Sequence, residues 1–157
     1  MLLLLILLAC LPAGAARVKS GETAPDFALK SVQGENLRLS EYRGQVVLLS
    51  IWATWCGRCR DQLPELGQLD QRYRDSGLQV LSIGLDEERE HLLGADQDND
   101  FPILHDGSKR VARLYDAGKL PMTLLIDRHG EVRHVHQGFR QDDVEQYVAQ
   151  LEAMLAE

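Results

Sequence analysis

Val46-Val47-Leu48-Leu49-Ser50-Ile51-Trp52-Ala53-Thr54-Trp55-Cys56-Gly57-Arg58-Cys59 joins a nearly unbroken apolar run to two cysteines separated by two residues. A strand that is apolar on both faces belongs in the middle of a covered sheet. The residues that follow change period. Leu63, Leu66, Leu69 and Tyr73 fall near helical spacing. Pro64 lies inside that helix and predicts a kink, and Ser76-Gly77 predicts its end. Val80-Leu81-Ser82-Ile83-Gly84-Leu85 reads as a second core strand. Strand, helix and strand in this order form a βαβ unit with a right-handed parallel crossover.

Toward the N-terminus, Phe27-Leu29 and Leu37-Leu39 are short strand candidates around the turn-rich Gln33-Gly34-Glu35-Asn36. Ser40 is placed to cap one helical turn through Tyr42. Toward the C-terminus, a helix is expected from Glu87 to about Asp96, weakened by Gly94. Asp96 to Asp100 reads as a solvated acidic loop, because the ligand pattern of a calcium loop is absent. A short helix is expected over Lys109 to Tyr115 and a strand over Met122 to Ile126. Asp127-Arg128-His129-Gly130 has turn chemistry, and Glu131 to His136 is the returning strand. Asp142 and Asp143 open a final helix with Val144, Val148, Leu151 and Leu155 as its inward stripe. The order predicts an α/β domain: a mixed central sheet with helices on both faces and an N-terminal β-hairpin extension.

Length and composition agree with one globular domain. The chain has 157 residues, 45% apolar and 26% charged. Its formal net charge of -7 argues against a nucleic-acid partner, which needs a basic face. Residues 1–15 are uncharged, and Leu2 to Leu11 is almost wholly aliphatic. Pro12, Gly14 and the small residues Ala13 and Ala15 then interrupt it. This reads as a cleaved export signal, with residues 16–157 as the folded domain. Cys10 raises the alternative of a lipid anchor, and the lack of a preceding Lys or Arg raises that of a retained anchor. Export leaves Cys56 and Cys59 in a compartment where disulfides persist.

Two cysteines at this spacing either hold a metal or cycle between dithiol and disulfide. Structural zinc needs four ligands, and His134 and His136 are the other candidates. Two buried cysteines acting as small hydrophobes are the plainest alternative. The position at a strand–helix junction favours redox chemistry. A helix N-terminus offers unpaired N–H groups and a dipole that stabilise a Cys56 thiolate, the nucleophilic form. Trp52 and Trp55 flank the pair and are expected to shield one side of it.

Trp52-Ala53-Thr54-Trp55-Cys56-Gly57-Arg58-Cys59 resembles the active-site motif of the thioredoxin superfamily. The chain is similar, more narrowly, to exported TlpA/ResA-type thiol–disulfide oxidoreductases. Gly21 to Phe27, Leu37 to Ser40, Arg43-Gly44, Pro64, Leu120-Pro121-Met122-Thr123 and Asp127 to Gly130 carry the rest of the resemblance. It implies a thioredoxin fold over the mature chain. It also implies that Cys56 attacks a substrate disulfide, that Cys59 resolves the mixed disulfide, and that Pro121 is cis beside the pair. Leu120 would then offer backbone hydrogen bonds to the substrate. No cofactor beyond the Cys56–Cys59 disulfide is implied, and the partners are protein thiols and disulfides with a membrane electron donor. The resemblance favours reduction over oxidation, with apocytochrome c or another envelope thiol protein as substrate. A peroxiredoxin-type thiol peroxidase and a non-catalytic binding module of the same fold are the alternatives.

Two positions depart from the family. Members often carry Glu three residues after the second cysteine, where this chain has Gln62. Thioredoxin has a buried Asp in the preceding strand, where this chain has Ser50. The dipeptide is Gly57-Arg58, without the proline common there, and Arg58 adds positive charge.

Overall fold

The computed structural model describes residues 17–95 and 99–157. The expected signal segment, residues 1–15, lies outside the described residues.

β1 (Ala28–Lys30) and β2 (Asn36–Arg38) form the N-terminal antiparallel hairpin, with Leu29 opposite Leu37. The main sheet has five strands. They are β3 (Val46–Trp52), β4 (Leu78–Gly84), β5 (Ile103–His105), β6 (Met122–Ile126) and β7 (Val132–Gln137), in the order β5-β4-β3-β6-β7. β3–β4 and β4–β5 are parallel, and β3–β6 and β6–β7 are antiparallel. α1 (Gly57–Tyr73) makes the crossover from β3 to β4, α2 (Arg110–Leu114) precedes β6, and α3 (Asp143–Leu155) follows β7. This is the thioredoxin fold with an N-terminal hairpin.

Every residue of β3 is buried, as its composition requires. Successive side chains leave a strand on opposite faces. Val46, Leu48 and Trp52 pack against Leu63, Leu66 and Leu69 of α1 and Tyr147 and Leu151 of α3. Val47, Leu49 and Ile51 pack on the other face with Phe27, Val111 and Tyr115. Full burial of each such aliphatic side chain contributes about 1.5–3 kcal/mol. The central strand is therefore clamped between two cores, and its C-terminal end is held firmly where the cysteines begin. α1 continues through Pro64 to Tyr73, and Gly77, at φ 100, takes the left-handed conformation that closes the following 3₁₀ turn.

The structure departs from the sequence expectations in four places. The helix expected from Glu87 is only a 3₁₀ turn, Arg89–Leu92, in which Leu92 alone is buried. Without an apolar stripe to dock, so short a segment cannot offset the cost of helix nucleation. The remainder of that expectation, from Asp96, falls on residues outside the description. β5 was not expected; three residues show no period, and the strand exists because Ile103 and Leu104 align with Ser82 and Ile83 of β4. Ser40 does not cap the turn Leu39–Tyr42. Instead the Ser40 N–H and hydroxyl both donate to the Asp26 carboxylate, which also receives Arg38. Burial raises the Asp26 carboxyl, but these hydrogen bonds outweigh it and hold it below the ordinary range. Finally, the inward face of α3 is wider than the expected stripe, whose four residues all pack on the core. Tyr147, Leu151 and Met154 are buried, while Val144, Val148 and Leu155 are only half-buried.

Candidate active site

The chain leaves β3 at Trp52, turns through Ala53-Thr54-Trp55, and enters α1 with Cys56 as its N-cap. The Cys56 backbone is extended (φ -93, ψ 109), which directs its side chain back over the first turn. Its sulfur accepts the Cys59 N–H at 3.2 Å. Cys56 and Cys59 are joined in a disulfide with their Cα atoms 5.2 Å apart. Cys59 is wholly buried among the α1–α3 core, and Cys56 is half-buried. An approaching sulfur therefore meets Cys56 first. When the bond is reduced, the N–H that points at the Cys56 sulfur stabilises its thiolate.

Asp86, just beyond β4, fixes the loop before the disulfide. Its carboxylate accepts the Thr54 N–H at 3.0 Å and the Thr54 hydroxyl. It is only 4% exposed. Asp86→Ala removes the acceptor for both donors and is expected to lower stability by about 2 kcal/mol, the scale of hydrogen bonds to a buried charged group. Urea unfolding measures this. An unchanged midpoint would show that Thr54 finds other partners.

Pro121 follows a cis Leu120–Pro121 peptide bond. The β3–β6 register sets Met122 opposite Ile51, so Pro121 enters the sheet beside the end of β3. Gly138 N–H donates to the Pro121 carbonyl at 2.7 Å. Leu120 is half-buried and shares a cavity of about 590 Å³ with Trp55, Leu85 and Ala112. The two tryptophans differ. Trp52 is buried and donates its indole N–H to Ser82, whereas Trp55 is 68% exposed and lines that cavity as an open wall rather than a shield.

Gln62 and Ser50, the two departures from the family, are hydrogen-bonded to each other. The Ser50 hydroxyl donates to Gln62 Oε1 at 2.8 Å. Gln62 Nε2 donates to Thr123 Oγ1 at 2.8 Å and to the Tyr147 hydroxyl at 3.3 Å. Gln62 is 1% exposed and lies one helical turn beyond Cys59 on the same buried face. Burial raises the Tyr147 phenol, and hydrogen bonds from Thr123 and Gln62 only partly offset it, so it stays neutral. The network beneath the cysteines thus carries no charge at neutral pH.

Gly57 and Arg58 are exposed. Arg58 lines a second cavity, of about 330 Å³, with Lys119, His136 and Arg140. β7 therefore comes nearer the disulfide than the sequence gave reason to expect. His134 and His136 stack with centroids 6.5 Å apart, and His136 hydrogen-bonds Gln150. Among the described residues no three His, Cys, Asp or Glu side chains are grouped to hold a metal ion. Sequence reading missed Asp86, Tyr147 and Lys119, and it quoted Thr123 in the cis-proline segment without foreseeing its contact with Gln62. All four reach the site from other elements, and an acidic residue directly after a core strand was the one available hint.

The AhpC/TSA family matches residues 20–135. The thiol-disulfide oxidoreductase ResA of Geobacillus kaustophilus is 35% identical over 137 residues, covering 83% of this chain and 77% of its own. ResA of Bacillus subtilis is 29% identical over 128 residues, covering 80% and 72%. A Chlorobium tepidum structure, described as a candidate DsbE thiol:disulfide interchange protein, superposes with a TM-score of 0.84. It is 36% identical and covers 88% of this chain and 99% of that one. With a disulfide capping the first helix of the same fold, the chain belongs to the AhpC/TSA family and, within it, to the ResA-type thiol–disulfide oxidoreductases.

Proposed function

We propose that this oxidoreductase reduces protein disulfides outside the cytoplasm, with Cys56 attacking and Cys59 resolving. The difference in exposure between the two sulfurs carries the assignment of roles. The Cys56 thiolate attacks one sulfur of a substrate disulfide, forms a Cys56–substrate bond and releases the other substrate sulfur as thiolate. The Cys59 thiolate then attacks Cys56, releasing the second substrate thiolate and closing Cys56–Cys59. Two electrons pass from the protein dithiol to the substrate, and solvent supplies protons to the released thiolates. Leu120 offers backbone hydrogen bonds to the substrate strand, Pro121 supports that segment, and Trp55 supplies an apolar wall. Gly57 leaves the mouth uncrowded, and Arg58 favours the thiolate. The electrons come from a membrane dithiol donor, and no cofactor beyond the disulfide is required. Residues 2–11 support export, and no helix among the described residues is long and apolar enough to cross a membrane. The proposed client is apocytochrome c or another envelope thiol protein.

The experiment is equilibration with glutathione, read as the fraction of Cys56–Cys59 disulfide, together with insulin reduction. A potential near that of thioredoxin, about -270 mV, with insulin turnover supports a reductase. A potential near about -120 mV reverses the direction. Rapid peroxide consumption without insulin reduction would favour the peroxidase reading.

A further inference from the structure

We propose that the surface around Cys56 docks an acidic segment of the substrate protein; this rests on the thiol–disulfide reading above. The chain has 24 Asp and Glu against 17 Lys and Arg, so its surface should on average present surplus carboxylates. Around the disulfide the balance is reversed. Arg58, Lys119 and Arg140 line one cavity, and Lys109 and Arg113 line the other. All five are exposed. Among the described residues Arg58, Lys119, Lys109 and Arg113 make no ion pair. The two carboxylates in these cavities are already engaged: Asp143 with Arg140 at 3.6 Å and Asp116 with Arg17 at 3.5 Å.

Two of the cations are also set beside the site by the course of the chain. Arg58 lies between the two cysteines. Lys119 lies over Gly138, where a Cβ would meet its Nζ at 3.5 Å, and it directly precedes Leu120. Lys119 borders one cavity and Leu120 the other, so the cationic surface runs along both sides of this segment. An occupant that meets both groups is an extended stretch of several residues, not a single small anion. It must also carry a disulfide to react at Cys56, which excludes a nucleic acid. A protein segment with carboxylates on both sides of its cysteine satisfies both conditions. Charges on a rim act mainly by raising the association rate and selecting among partners, and salt screens them.

The test uses the reduced protein and three peptides that differ only around one cysteine, with Glu, Gln or Lys flanks. Each cysteine is linked to thionitrobenzoate, whose release is followed by absorbance. Each second-order rate is divided by that of dithiothreitol on the same peptide, which removes differences in intrinsic reactivity. The expected result is that the Glu peptide reacts at least about tenfold faster than the Gln peptide at low salt. The ratio should approach one in 1 M salt, where the Debye length is about 3 Å. Lys119→Glu should lower the ratio several-fold. Equal rates for the Glu and Gln peptides, or a ratio that neither salt nor Lys119→Glu alters, overturn the acidic-segment inference while leaving disulfide exchange intact. Oxidised glutathione reacting faster than the Glu peptide overturns the choice of a protein segment. Failure with all three peptides, from a protein shown to hold two free thiols, overturns the exchange reading itself.

Discussion

Replacing Cys59 by Ser should make the protein accumulate mixed disulfides with its substrates, and replacing Cys56 by Ser should not. Cys56 is the half-buried sulfur at the helix cap, within reach of the Cys59 N–H. Cys59 is wholly enclosed by the core between the sheet, α1 and α3. In Cys59→Ser the attack survives and the resolving thiolate is gone, so the first intermediate persists. In Cys56→Ser the half-buried nucleophile becomes an alcohol that is almost never ionised, and exchange should fall on the order of a thousandfold. The measurement is non-reducing electrophoresis of affinity-purified variants, with insulin reduction alongside. Equal trapping by both variants would show that Cys59 becomes accessible on reduction. Trapping by neither would mean that Cys56 is not the attacking group.

The second large effect is expected at residue 62. The hydrogen-bonded set Ser50, Gln62, Thr123 and Tyr147 has no group that ionises near neutral pH. Gln62→Glu keeps the shape and lets the Ser50 and Tyr147 hydroxyls donate to a carboxylate. That carboxylate would sit one turn from Cys59 with little access to water. Burial raises its pKa, and once ionised its charge opposes formation of a neighbouring thiolate. The two groups should then titrate as a coupled pair, with the apparent thiol values raised by about one unit. At neutral pH this is roughly a tenfold slower alkylation. The pH profile of iodoacetamide alkylation, with thiolate absorbance, distinguishes the cases. Superimposable profiles would show that residue 62 does not communicate with the pair; a lower thiol pKa in the Glu variant would reverse the sign of the argument.

The junction at Trp52 to Cys59 could be read from the sequence because its causes are local. A seven-residue run with six apolar side chains must be covered on both faces, and the helical spacing of Leu63, Leu66 and Leu69 starts within a few residues of the cysteines. The fold class followed from that junction together with the resemblance around it. Asp142 and Asp143 likewise marked where the last helix begins, since end effects are local too.

What depended on distant partners was not legible. β5 is three residues long and is a strand because β4 presents an edge to it, with Ser31 and Val32 pairing on its other side. The segment after Glu87 has helix-forming residues but no apolar face, so docking rather than propensity decided that it stays a single turn. α3 was located correctly and its face was read only in part, since Val144, Val148, Leu151 and Leu155 all pack on the core but Tyr147 and Met154 join them. Tyr147 is drawn inward, where its ring packs at 4.8 Å from His136 and its hydroxyl meets Gln62. Neither partner lies within the helix's own sequence.

Sequence by itself determined the strand, the helix and the pair of cysteines between them, because hydrophobic period and residue spacing act over a few neighbours. Only the tertiary structure decided which sulfur faces solvent and what surrounds the pair. Gln62 meets Thr123 and Tyr147 from residues 61 and 85 positions away, and Thr54 meets Asp86 across 32. Such contacts form when the two cores close on the sheet, and no local pattern encodes them.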